Sequence, residues 1–139
     1  MIKLAAHDAE DLTILSARLQ DAAAKLGDLA FLAKQRRFAA VVNRLEWEKG
    51  GKTRVRAGLH FDGVLAVKTK DVKLGARDAV VSILALTFTP NAVDDPGGVI
   101  EIVLAGGGAV RLEVECIDAE LVDMTQSWTA RATPDHGGA

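Results

Sequence analysis

From Arg54 to Phe61 the chain alternates strictly, with Val55, Ala57, Leu59 and Phe61 apolar and Arg54, Arg56, Gly58 and His60 between them. A period of two sends successive side chains to opposite faces, so this stretch predicts a strand with one buried face and one basic face. Asp62-Gly63 follows. Both central positions of a type I′ turn need positive φ, and an Asp-Gly pair therefore predicts a tight hairpin. In that register Phe61 faces Val64, Leu59 faces Ala66 and Ala57 faces Lys68. Lys68 and Lys70 then fall on the core side, unless the sheet is open there, their stems snorkel or a bulge resets the pairing.

Around this strand the pattern is mostly β. Asp8 and Asp11 read as an N-cap and acidic first turn, and Leu12, Leu15, Leu19, Ala22, Ala23 and Leu26 continue at helical spacing until Gly27. Leu29 to Leu32 and Phe38 to Trp47 are further strands, and Gly50-Gly51 breaks the pattern. Ala79 to Phe88 is apolar on both alternations, as expected of a strand covered on both faces by the domain, by the helix or by another subunit. Val99 to Leu104 and Ala109 to Ile117 predict a hairpin about Gly106-Gly107-Gly108. A three-residue loop pairs Leu104 with Val110, Ile102 with Leu112 and Ile100 with Val114, and it sets Glu101 against Glu113. Directly opposed like charges destabilise a sheet. Asp118 caps an expected short helix holding Leu121, Val122 and Met124, with Trp128 as a plug beyond it.

The expected architecture is α+β and mainly antiparallel: about seven strands in a barrel or two-sheet sandwich, with an N-terminal helix and a short C-terminal helix. That element order matches pleckstrin-homology-like barrels, an analogy of fold that carries no function. A chain of 139 residues suits one domain, read as 1–128, with 129–139 as a flexible tail. With aromatics at 4% and no Tyr, the core is aliphatic. No apolar run approaches the ~20 residues that cross a bilayer, no leader pattern opens the sequence and the lone Cys116 suits a reducing compartment, so a cytoplasmic protein is expected.

Charge divides sharply along the chain: residues 1–77 hold 15 Lys/Arg against 9 Asp/Glu, and residues 78–139 hold 2 against 10. Such a division either neutralises itself inside the fold or offers a basic and an acidic face to partners. The segment 34–77 is the most basic, but few aromatics are available for base stacking and no recognition motif accompanies it, which argues against nucleic acid. The candidate anion- or partner-binding residues are Arg54, Arg56 and His60. Glu101, Glu113 and Glu115 form the candidate acidic face, able to collect a cation or shift a pKa, or else to join Arg111 in a surface ion-pair ladder. Gly106 to Gly108 precedes a strand rather than a helix and reads as a turn, not a phosphate loop. Cys116 continues the apolar side of its strand and reads as a buried, inert thiol. His7, His60 and His136 lack metal-ligand spacing, and neither a metal nor a cofactor is called for.

The segments His7-Asp8-Ala9-Glu10-Asp11-Leu12, Gln35-Arg36-Arg37-Phe38-Ala39, Asn43-Arg44-Leu45-Glu46-Trp47, Arg56-Ala57-Gly58-Leu59-His60-Phe61 and Gly106 through Ile117 resemble an alphaproteobacterial family of small proteins known only as a domain of unknown function. The resemblance covers nearly the whole chain except its tail. It implies a cytoplasmic bacterial protein and supplies no catalytic residues.

The functional expectation is a non-enzymatic binding or adaptor module whose Arg54, Arg56 and His60 face meets an acidic protein partner or small anion. One alternative is a small enzyme or ligand-binding protein with a pocket near His60 or the Glu101, Glu113 and Glu115 group. The other is a homodimer burying the apolar run from Ala79 to Phe88.

Overall fold

A computed structural model describes residues 1–125 and 127–130. After β1 (Lys3–Ala6), helix α1 spans Ala9–Leu19. The Asp8 carboxylate accepts from the Asp11 backbone N–H at 2.8 Å, and the Asp11 carboxylate accepts from that of His7 at 3.0 Å. Two otherwise orphaned N–H groups of the helix entry are thereby satisfied. Leu12, Leu15 and Leu19 form the buried stripe. The helix stops at Leu19 and does not run on to Gly27. Asp21 turns with φ 62°, Asp21 N–H donates to the Ile83 carbonyl at 2.7 Å, and Ile83 N–H returns to the Ala22 carbonyl at 2.8 Å. These tertiary bonds draw Ala23–Lys25 into a strand, β2, although the apolar spacing continues the helical period.

Nine further strands follow: β3 (Leu29–Leu32), β4 (Arg37–Leu45), β5 (Thr53–Asp62), β6 (Val64–Lys70), β7 (Val80–Pro90), β8 (Gly98–Leu104), β9 (Ala109–Val114), β10 (Ala119–Asp123) and β11 (Trp128–Thr129). Every pairing is antiparallel, and the path runs β1-β10-β5-β4-β2-β7-β8-β9-β6, with β11 on β5 and β3 on β4. The sheet is open. Among the described residues its eleven strands exceed the expected seven, they do not close into a barrel, and no helix follows β9. Ala119 to Asp123 lies between β1 and β5, where alternating burial of Ala119, Leu121 and Asp123 suits a strand. Trp128 pairs with Arg54 and is 40% exposed, so it plugs nothing. Thr129 pairs with Thr53, and the remainder of the expected tail from residue 131 lies outside the described residues.

The alternation of β5 holds, with Val55, Ala57, Leu59 and Phe61 buried. The expected hairpin with β6 does not form. Both edges of β5 are occupied, by β4 and β10, and β6 pairs with β9 instead. Of the Asp-Gly pair only Gly63 takes positive φ, at 69°. Asp62 stays in the ladder, donating to the Asp118 carbonyl at 2.8 Å, and Gly63 swings the chain across to Glu115. The register of β6 shifts between Val64 and Ala66, leaving Val64 buried while Leu65 and Lys68 face out. That bulge removes the two lysines from the core side.

In the β8–β9 hairpin Ile102 pairs with Val110, Ile100 with Leu112 and Glu101 with Arg111. The loop keeps three residues but lies one position earlier, at Ala105 to Gly107, since Leu104 N–H closes on the Gly108 carbonyl, and the partner of each β8 residue moves by two. Opposed glutamates are replaced by an opposed Glu-Arg pair. Strand β7 packs under α1, where the Ser16 hydroxyl accepts from Leu86 N–H at 2.9 Å, and it leaves Val80 and Leu84 exposed. One apolar core joins α1, β4, β5 and β7 to β10.

One charge pair is embedded in that core. Arg44 of β4 and Asp123 of β10, both with fully buried side chains, meet through Nε–Oδ1 at 2.9 Å and Nη2–Oδ2 at 2.8 Å. Glu48 takes two more bonds and the Leu45 carbonyl a fifth, so every N–H of the guanidinium is used. Burial pushes the Asp123 carboxyl up, but bonds from Arg44 and the Ile2 N–H outweigh it and hold it below its usual value. Burial likewise opposes the Arg44 charge, and its bonds to Asp123 and Glu48 more than restore it.

Asp123→Asn should cost about 3–5 kcal/mol of unfolding free energy, because it strands a buried cation. The folded-state pKa of Asp123 is lowered, so its stabilisation is present above the unfolded value of ~4 and lost as pH falls through the folded one. Urea unfolding from pH 7 downward should therefore show a constant gap between wild type and variant that narrows below ~4. Equal midpoints at pH 7 would refute the role given to this pair.

Candidate functional site

Successive outward residues of β5 are Arg54, Arg56, Gly58, His60 and Asp62, and the register sets Asn43 opposite Arg56, Val41 opposite Gly58 and Ala39 opposite His60 on β4. On the other side β10 places Val122 opposite Gly58 and Glu120 opposite His60. The three basic residues expected at the site share this face, but their roles differ.

Arg54 is committed to structure. Its Nη1 donates to the Asn43 carbonyl at 2.8 Å, with the Asp21 carbonyl at 3.5 Å, and burial pushes its pKa down from the ordinary arginine value. Arg56 is exposed, and its only side-chain bond among the described residues is a long one, Nε to the Asn43 Oδ1 at 3.4 Å. Both terminal nitrogens are open to a ligand. His60 is half-buried, with Nε2 at 3.5 Å from the Asp62 carboxylate. Asp62 is itself gripped by Arg37, through Nε at 2.7 Å and Nη2 at 3.2 Å, and that bond raises the Arg37 pKa.

Two depressions adjoin on this face. A groove of about 510 Å³ is floored by Val41, Gly58 and Val122, with Leu32 and Met124 along its sides and His60 and Arg37 at one end. Gly58 makes the floor low: a Cβ there would come within 3.5 Å of the Met124 sulfur. The second depression, about 430 Å³, lies where the sheet is interrupted. Strand β3 pairs with Arg37 to Ala40 and β2 only with Asn43, so Val41 and Val42 have a strand partner on the β5 side alone. Into this gap project Lys25, Asp28, Asn43, Arg56, Arg77 and Asp78. The two depressions share Val41 and Asp28.

The expected acidic face is spent on ion pairs. Glu101 meets Arg111 at 3.4 Å, Glu113 meets Lys68 at 3.2 Å and Glu115 meets Arg36. Two of these cations, Lys68 and Arg36, come from the basic half of the chain. Cys116 is exposed, because β9 ends at Val114 and the following bend turns the thiol outward and Ile117 inward. Among the described residues no three His, Cys, Asp or Glu side chains are grouped to hold a metal, and no helix is long and apolar enough to cross a membrane.

Sequence reasoning missed Lys25, Asp28, Arg77 and Asp78 as site residues. No local pattern marks them, since β2, a short turn after it and the loop before β7 meet only through tertiary bonds: Leu26 N–H to the Ala79 carbonyl at 2.9 Å and Gly27 N–H to the Arg77 carbonyl at 2.8 Å. Gly27 was a legible signal of a different kind. A Cβ there would lie 3.1 Å from the Arg77 carbonyl oxygen, so the close approach of the two segments needs the missing side chain.

A family model described as "Protein of unknown function (DUF2948)" matches residues 2–136. No curated protein and no solved structure matches the chain.

Truncation separates the two arginines. Arg54→Ala should lose about 1–2 kcal/mol of stability by leaving buried carbonyl groups short of a donor, and Arg56→Ala should stay within about 0.5 kcal/mol of wild type. Urea midpoints measure both, and equal losses would overturn the division of roles.

Proposed function

Because the chain belongs to the DUF2948 family of proteins of unknown function, and its outward β4–β5–β10 face has the geometry described above, we propose that it is a non-enzymatic, cytoplasmic binding module that docks an extended acidic segment of a protein partner. One observation carries the reading: Arg56, its terminal nitrogens free, stands next to Gly58 and the apolar groove that Gly58 floors. Four residues of extended β5 separate Arg56 from His60, about 13 Å at the rise of a strand. An extended peptide has the same rise. Carboxylates four residues apart on one side of such a peptide would reach Arg56 at one end and the His60 and Arg37 end at the other. An apolar side chain midway between them would rest over Gly58.

Charge complementarity of this kind sets association rate and selectivity more than affinity, and it weakens as salt shortens the Debye length to ~10 Å and below. The free thiol of Cys116 suits the reducing compartment in the proposal. Arg54 has no part in contact with the partner; it braces the strand that presents Arg56.

Selection of displayed random peptides on the wild-type protein, on Arg56→Glu and on Gly58→Leu tests the reading. The wild type should enrich sequences with Asp or Glu at two positions four apart and a large aliphatic residue midway between them, and both variants should lose that enrichment while keeping the wild-type circular-dichroism spectrum. Enrichment of neutral or basic sequences, or acidic enrichment retained by Arg56→Glu, would refute it.

A further inference from the structure

The polar depression beside the groove holds side chains of both signs that do not pair. Lys25, Arg56 and Arg77 are cationic and Asp28 and Asp78 anionic, and none has an ion-pair partner among the described residues. Elsewhere on the surface opposite charges meet readily, as in Arg37–Asp62, Lys68–Glu113 and Arg111–Glu101. Here two of the cations are engaged by other groups. The Gly27 N–H donates to the Arg77 carbonyl at 2.8 Å, and the Arg77 Nη2 lies 3.5 Å from the Gly27 carbonyl, which folds the arginine over the glycine. Arg56 is steered by the Asn43 amide at 3.4 Å, and its backbone is fixed by Thr125 and by a 2.7 Å bond from Met124 N–H.

A ligand of one sign fits this lining poorly. Phosphate would gain from three cations but face two carboxylates, and an amine would meet the reverse. A ligand with an anionic and a cationic end answers both sets. The walls between them are Ala23, Ala24, Val41 and Val80, all small, and a volume of about 430 Å³ lies in the lower part of the range of small-molecule sites. Arg56 and Arg77 are each steered by one long bond, to the Asn43 amide and the Gly27 carbonyl, and a ligand would order the exposed Lys25, Asp28 and Asp78 as it binds.

We propose that this pocket binds a free α-amino acid, its carboxylate held by Arg56 and Arg77 with the Asn43 amide, its ammonium by Asp28 and Asp78. The site rests on the docking reading's Arg56 and shares Asp28 with the groove, and it differs from the groove in its other charged residues. Lys25, Arg77 and Asp78 line only the pocket, and Gly58, His60 and Val122 line only the groove.

The test is a nuclear magnetic resonance titration of the full chain, following backbone amides of Ala24, Gly27 and Asn43. The probes are each of the twenty free L-amino acids, with acetate, methylammonium and inorganic phosphate as single-sign controls. At least one amino acid should give saturable shifts with a dissociation constant between micromolar and low millimolar, and each control should bind at least about tenfold more weakly. Arg77→Gln and Asp78→Asn should each weaken that binding by about tenfold while leaving the remaining amide spectrum in place. Acetate or phosphate binding as well as the best amino acid would make this a simple anion site and overturn the proposal. So would wild-type affinity in both variants, or the absence of saturation with every amino acid. Absence of acidic-peptide selection on the wild type with saturable amino-acid binding intact would refute the docking groove alone, and selection on the wild type without saturable amino-acid binding would refute the pocket alone.

Discussion

Arg44 and Asp123 impose the constraint on which the rest of the structure depends. They are distant in sequence, sit on strands either side of β5 and are both fully buried, so neither charge is tolerable without the other. Their bidentate contact tolerates little slip of β4 or β10 along β5, because a shift of one residue would turn one of the two charges to the opposite face. The Ile2 N–H, donating to the same carboxylate, carries the constraint to β1. Apolar burial would accept several registers of these strands; the paired charges accept one.

The outward face inherits that register. With Arg44 and Asp123 inside, Val41, Gly58 and Val122 fall in line outside, and a residue without a side chain lies between two β-branched neighbours. Asn43 lands opposite Arg56, and Ala39 and Glu120 flank His60. Groove and pocket are thus consequences of a pairing decided on the far side of the sheet. The ion pairs elsewhere follow a different logic. Exposed pairs such as Lys68–Glu113 contribute little each. Together they engage Glu101, Glu113 and Glu115 of the acidic half, while Arg56 on the outward face of β5 has no ion-pair partner among the described residues.

Much of the architecture was legible from local pattern. The alternation in β5 reports a strand whose two faces differ, and the three leucines of α1 with their Asp8 cap report a helix entry, because both signals arise within a few residues. The same signals mislead where a distant segment competes. Ala22, Ala23 and Leu26 keep a helical period, yet β7 supplies backbone bonds that take Ala23 and its neighbours into the sheet. Leu121 and Val122 fit a helix or a strand equally well, and two waiting strand edges decide between them. At Asp62-Gly63 the turn signal was right about a change of direction and wrong about its product, since β5 had no free edge for a hairpin. Placing the loop between β8 and β9 one position earlier moved the register by two and turned a repulsive pair into an attractive one.

The candidate site divides along the same line. Arg54, Arg56 and His60 were readable as one basic face, because side-chain direction along a strand alternates with the chain itself. That Arg54 is tied to a carbonyl, that Arg56 is not, and that Arg77 and Asp78 come to stand beside it depend on what the other strands bring. By itself the sequence determined which faces are apolar, where the chain must turn and how charge is apportioned between its halves, all of which are properties of neighbouring residues. The tertiary structure decided which strands are partners, which charges neutralise one another and where a depression is left open, because those depend on contacts between segments whose separation no local pattern encodes.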